Sequence, residues 1–218
     1  MRPISTWCRA ARRAELLDGI EPYLALIGLI SVALLSPGPA IVAAIQTSFS
    51  RGRDVALPFG IGLAIGASLW CVFALGGLSL LFESFPPLYH AVKILGGLYI
   101  VWFAWGLWRS ASDPLPEAAE KKFGRGFFGG VLLNLSNPKP ALFYAALILR
   151  LFPGQLTLTR SGSIYATAVA TELFWYVVVT LAMSTAMMRR RYFGAKFWID
   201  RAAALALFLL GILLIFKS

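Results

Sequence analysis

From Val55 to Phe82 the chain carries no charged residue. About 20 apolar residues suffice to cross the roughly 30 Å hydrocarbon layer of a bilayer, so this run reads as a membrane span. Comparable runs recur along the chain and predict six spans: about Pro22–Phe49, Val55–Phe82, Leu88–Trp108, Gly126–Arg150, Ser161–Met188 and Phe197–Phe216. The composition agrees, being 59% hydrophobic and only 14% charged, where soluble domains are about a quarter charged. The net charge of +10 sits in short clusters between the apolar runs. That placement suits anchors to an anionic leaflet and argues against a nucleic-acid surface.

Proline constrains these spans most. Asn137-Pro138-Lys139-Pro140 lies near the middle of the fourth run, and Ser36-Pro37-Gly38-Pro39 inside the first. Each proline removes a backbone donor and crowds the preceding turn, at about 3 kcal/mol in a helix interior. With no water at that depth, freed carbonyls need partners, so the breaks are expected to line a cavity. Lys139 adds a further cost of about 2.5–3.5 kcal/mol at a span's centre.

One offset carries Pro37 onto Pro138, Pro39 onto Pro140 and Ala40 onto Ala141. Three spans per half would reverse the second half's orientation. The expected fold class is therefore an all-α membrane protein with six transmembrane helices, arranged as a 3+3 inverted repeat whose first and fourth helices are broken at Pro-x-Pro. The halves run from about 22 to 109 and 126 to 216, joined by a polar, proline-containing linker, 110–125. Residues 1–21 form a polar arm, read as an amphipathic surface helix or a disordered segment. A signal peptide is disfavoured because no small-x-small cleavage site follows.

Lysine and arginine asymmetry sets the expected orientation. Arg51, Arg53, Arg109, Lys121, Lys122, Arg125, Arg189, Arg190, Arg191, Lys196 and Arg201 follow the first, third and fifth spans. Only Lys93, Arg150, Arg160 and Lys217 lie on the other side. This places the richer loops in the cytoplasm and both termini outside, although the arm's own arginines pull the other way. Trp102, Trp105 and Trp108 read as an interfacial aromatic belt, and Gly62-x-x-x-Gly66 as a helix-packing face. Whether such faces pack within one chain or between copies in a homodimer is left open.

At the breaks, amides opening the second half-helix carry positive partial charge and suit a carboxylate, with Lys139 adding a full cation. Freed carbonyls together with Ser36, Asn134, Asn137 and Gln46 suit an ammonium group. The candidate substrate site is thus Ser36, Pro37, Gly38, Pro39, Gln46, Asn134, Asn137, Pro138 and Lys139, with ends complementary to a zwitterion such as an amino acid. Glu172 is the other ionisable group expected near the membrane centre. It reads either as a proton relay or as a fixed counter-ion to Lys139.

The Ser36-Pro37-Gly38-Pro39 break, Arg51-Gly52-Arg53 and the glycine series Gly60, Gly62 and Gly66 together resemble a known family. Lys93-Ile94-Leu95-Gly96-Gly97-Leu98-Tyr99 and Asn137-Pro138-Lys139 complete the likeness. The family is the lysine exporter superfamily, in particular its RhtB-like homoserine/threonine exporters, and the likeness spans about Tyr23 to Phe216. It implies a six-helix exporter of amino acids or their derivatives in the bacterial inner membrane, driven by the proton motive force. The long arm and the glycine-free Ala202-Ala203-Ala204 depart from that pattern.

Other classes fit less well. A membrane thiol–disulfide carrier would need cysteines at the breaks, where Gly38 and Lys139 stand. Cys8 and Cys71 lie elsewhere. A metal-ion or other small-solute exporter of related architecture is the alternative, but Glu172 alone is too small a donor set. An enzyme would need a nucleophile–base pair in the spans, and His90, the sole histidine, sits at a helix boundary. No cofactor motif is visible, leaving membrane lipid and a small solute as the expected partners.

Overall fold

The computed structural model describes residues 4–35, 38–84, 86–113, 126–152 and 156–216, with side chains described from Gly19 onward except over 78–93 and at 189. Every regular element among the described residues is helical: α1 (Ile4–Leu35), α2 (Pro39–Arg51), α3 (Arg53–Ser84) and α4 (Pro86–Arg109). A short 3-10 turn, Ser110–Ser112, follows α4, and then come α5 (Phe127–Leu135), α6 (Pro138–Leu151), α7 (Leu158–Met183) and α8 (Ala186–Phe216). By length and apolarity, three of these can each cross a membrane: α3, α7 and α8. The bent pair α1 and α2 raises the number to four if taken as one span. The protein is a multi-pass membrane protein.

Both helix breaks follow from local chemistry. A residue before proline is pushed out of the helical region, and proline at the first helical position loses only an amide that had no partner. Gly38 is accordingly extended (φ −82°, ψ 174°) before Pro39, and Asn137 is extended (φ −91°, ψ 116°) before Pro138. The chain turns by 62° between α1 and α2. At 13 and 14 residues, α2 and α6 are each about 20 Å long, too short to span alone.

Two glycine contacts set how closely the helices pack. α3 lies against α5, where a Cβ on Gly62 would collide with the Phe127 carbonyl, and one on Gly130 with the Phe59 carbonyl. One on Gly66 would sit 2.6 Å from the Val131 oxygen. The Gly62-x-x-x-Gly66 face therefore packs within the chain. α4 lies along α8, where Gly97 and Gly211 each face the other's carbonyl, at 3.0 and 2.9 Å from the position of a Cβ. α3 also packs on α7, and α1 is joined to α7 by Trp175 Nε1 donating to Ser31 Oγ at 2.7 Å.

The helix α1 begins at Ile4 and runs unbroken into the first apolar run, so the helical alternative holds over 4–21. One sequence expectation needs correction. The basic cluster read as a loop is helical: α8 starts at Ala186, so Arg189, Arg190, Arg191, Lys196 and Arg201 all lie within it. Lys196 is buried, pairing with Asp200 at 2.8 Å and donating to the Ser110 and Ala111 carbonyls at 3.1 and 3.2 Å. It thereby satisfies carbonyls of the 3-10 turn that follows α4. Arg201 stacks on Trp108 at 3.9 Å. Trp102, Trp105 and Trp108 are all exposed, 68%, 59% and 40%, as residues facing lipid would be. His90 and Lys93 have no described side chains, and the linker from 114 to 125 lies outside the described residues.

Candidate functional site

The two breaks meet at one cavity of about 40 Å³. Ile30, Ala33 and Leu34 of α1, Ala40 and Ile41 of α2, and Ala67 of α3 form its apolar wall. Gly38, Asn134, Asn137, Lys139, Tyr144, Glu172 and Tyr176 supply the rest, with Pro140 and Phe143. By this measure one water takes about 10–15 Å³, so the cavity has room for about three and is closed to an amino-acid-sized solute in this conformation.

Carbonyls released by the breaks find side-chain partners, as a water-free interior demands. Near the end of α1, the Ala33 carbonyl accepts from Lys139 Nζ at 3.0 Å, and the Leu35 carbonyl from Tyr192 Oη at 3.5 Å. Near the end of α5, the Asn134 carbonyl accepts from Trp70 Nε1 at 3.3 Å and from the Asn137 amide at 3.2 Å. Lys139 is thus a bridge from the second break to the first. Its Nζ also lies 4.7 Å from the centre of the Phe103 ring, a cation–π contact. A Cβ on Gly38 would come within 3.3 Å of that Nζ, so the absent side chain there makes room for the ammonium.

The half-helix starts differ in capping. Asn137 Oδ1 accepts from the Lys139 amide at 3.0 Å and caps α6. Gly38 provides no side-chain cap for α2, whose first internal hydrogen bond runs from the Val42 amide to the Gly38 carbonyl. Pro39 has no amide hydrogen, so the Ala40 and Ile41 amides are the next donors at this start, and both residues are buried and line the cavity. The start of α2 lends the cavity positive partial charge.

The same lining also carries acceptors. Glu172, 5% exposed, accepts from Tyr144 Oη at 2.9 Å through Oε1, while its Oε2 meets no donor among the described residues. Asn134, 1% exposed, donates through Nδ2 to the Leu63 carbonyl at 2.7 Å and to Tyr176 Oη at 3.3 Å, and its Oδ1 is likewise unpartnered.

Among the residues singled out in the sequence, Gly38, Asn134, Asn137, Lys139 and Glu172 come together at this cavity. Pro39 and Pro138 set the backbone but are exposed and do not line it, and Gln46 lies further along α2, also outside the lining. Ser36 and Pro37 lie outside the described residues. Tyr144, Tyr176 and Phe103 were not foreseen. A signal existed for Tyr176, which stands one turn from Glu172 on α7, and for Tyr144, one turn from Pro140 on α6. Phe103, on α4, had none. Among the described residues no three histidine, cysteine or carboxylate side chains converge as metal ligands.

Comparison with known proteins agrees over most of the chain. A threonine efflux protein of Escherichia coli K12 is 36% identical over 176 residues, covering 78% of this chain and 85% of the relative. One from Salmonella typhi is 35% identical over 178 residues, with 78% and 85% covered. A leucine efflux protein of Salmonella choleraesuis is 25% identical over 175 residues, covering 78% of this chain and 81% of the relative. No solved structure matches. Residues 31–218, which hold both helix breaks and every residue of the cavity except Ile30, match the family model described as LysE type translocator, and the chain belongs to that family.

Proposed function

We propose that the protein exports amino acids, or their close derivatives, across the bacterial inner membrane in exchange for protons. The observation that carries this reading is the polarised cavity at the meeting of the two breaks. Its lining combines the Lys139 ammonium and the start of α2, where Gly38 gives no side-chain cap, with oxygens of Asn134 and Glu172 that have no partner among the described residues. A zwitterion fits such a site with its carboxylate toward the breaks. Relatives named for threonine and leucine efflux support the substrate class.

The six-span inverted repeat is part of the same proposal. α1–α2 corresponds to α5–α6, α3 to α7, and α4 to α8. A two-fold axis relating the halves would carry the α3–α7 and α4–α8 contacts onto themselves, and both pairs pack closely. The Gly97–Gly211 contact, nearly the same from either side, also supports it. One proton entering down a 100 mV potential, inside negative, releases about 2.3 kcal/mol. With 1.4 kcal/mol equal to a factor of ten, a net-neutral solute could be held at roughly a forty-fold outward gradient.

The test is to overexpress the protein in a bacterium and profile amino acids accumulating in the medium. Wild type is expected to raise one or a few amino acids outside the cell. Lys139→Ala should reach the membrane in equal amount and export none of them. Export at the wild-type level by that variant would remove Lys139 from the site.

A further inference from the structure

Five buried side-chain atoms among the described residues have no hydrogen-bond partner, and only Asn134 Oδ1 and Glu172 Oε2 belong to residues lining the cavity. The hydroxyls of Ser48, Ser68 and Thr180, by contrast, bond to carbonyls of their own helices. The orientation of the Asn134 amide is fixed by the Leu63 carbonyl, which can only accept and sits 2.7 Å from Nδ2. The acceptor oxygen must therefore be the free one. On Glu172, Tyr144 occupies Oε1 and leaves Oε2 as the oxygen open to a proton or a donor.

We propose that the substrate's ammonium group and the coupling proton compete for one atom, Glu172 Oε2, with Asn134 Oδ1 as the ammonium's second acceptor. This inference rests on the export reading above and deepens it. An ammonium has three N–H donors and no acceptor. A protonated carboxyl presents its own O–H on the side the ammonium must donate to, so two donors would face each other. Glu172 can then carry a proton or a substrate, never both. At the outer face a proton taken up on Oε2 releases the substrate. At the inner face a substrate ammonium displaces that proton into the cytoplasm, and the exchange is one for one.

The groups facing Glu172 leave it as the natural competitor. Lys139 and Tyr144 face it from α6, Tyr176 from its own helix and Cys71 from α3. Asn134 of α5 cannot titrate. The residues of α1 and α2 on the cavity wall, Ile30, Ala33, Leu34, Ala40 and Ile41, carry no charge. Asp200 on α8 acts on Lys139 and is itself held by Lys196. Glu172 is the one carboxylate lining the cavity.

The experiment is calorimetric binding to the purified, detergent-solubilised protein. Each of the standard amino acids is tried, and the tightest is followed across pH in buffers of different ionisation enthalpy. In wild type the affinity should fall roughly tenfold per pH unit on the acid side, with about one proton released per substrate bound. Glu172→Gln, which retains an acceptor for Tyr144, should bind more weakly with no pH slope and no proton release, and Glu172→Asp should restore the slope. A ligand-side control needs no variant: the 2-hydroxy acid of the same skeleton, lacking the ammonium, should bind wild type without the slope. Binding by wild type that is flat across pH, or a slope surviving in Glu172→Gln, overturns the shared-atom proposal alone. Failure of every amino acid to bind wild type overturns the export reading and this inference with it.

Discussion

Tyr144 shows how much a single buried hydroxyl can carry in this chain. It is 1% exposed and, among the described residues, supplies the one hydrogen bond made by the Glu172 carboxyl group, at 2.9 Å. Leaving a buried acceptor without its donor costs about 1–3 kcal/mol. Tyr144→Phe should therefore lower stability by about that amount, read from thermal unfolding in detergent, with little change in shape because the ring is retained. A stability equal to wild type would mean that the carboxyl group finds another donor once the hydroxyl is gone. Lys139 offers little help as a replacement, since its ammonium is directed at the Ala33 carbonyl and the Phe103 ring.

Helix pairs, at the next scale, are held at a spacing that only glycine permits. A methyl group on Gly62 or Gly130 would run into the backbone carbonyl of the facing helix, which cannot rotate away as a side chain can. Gly62→Ala and Gly130→Ala should each cost about 1–3 kcal/mol or more by forcing α3 and α5 apart. Gly28, with nothing within 4 Å of a would-be Cβ, is the control. Gly28→Ala should be neutral or stabilising by up to about 1 kcal/mol, from helix propensity alone. Thermal unfolding of the three variants in one detergent checks the ranking. Equal melting of Gly62→Ala and Gly28→Ala would contradict the close approach.

For the molecule as a whole, the cavity is too small for the solute it is proposed to carry, so transport requires the half-helices to move. α2 and α6 are the candidates, each short and each led by a proline, with Lys139 tying the start of α6 to the end of α1. Ala67, on the α3 wall and 1% exposed, reports on that motion. With Cys8 and Cys71 replaced by serine, a cysteine at Ala67→Cys should react slowly with a small water-soluble thiol reagent. An exported amino acid should change that rate at least several-fold, while one that is not exported should leave it unaltered. A rate unaffected by any amino acid would argue against a cavity that opens to solvent during transport.

The positions of the helices and of their breaks were legible because their causes are local. A charge-free run such as Val55–Phe82 has no stable state in a membrane other than a helix, and the observed helix, Arg53–Ser84, overruns it by two residues at each end. Proline acts on its own φ and on its predecessor, so Pro39 and Pro138 announce the starts of α2 and α6 without reference to the rest of the fold. Hydropathy says nothing about helices continuing beyond the apolar layer, and so the basic opening of α8 read as a loop. What only tertiary structure decided is which groups meet. Lys139 reaches the Ala33 carbonyl, Tyr144 reaches Glu172, and Gly130 sets the approach of α5 to α3. Each of those pairings joins residues distant in the chain, and in a medium without water a freed polar group takes whichever partner the packing of the helices brings within reach.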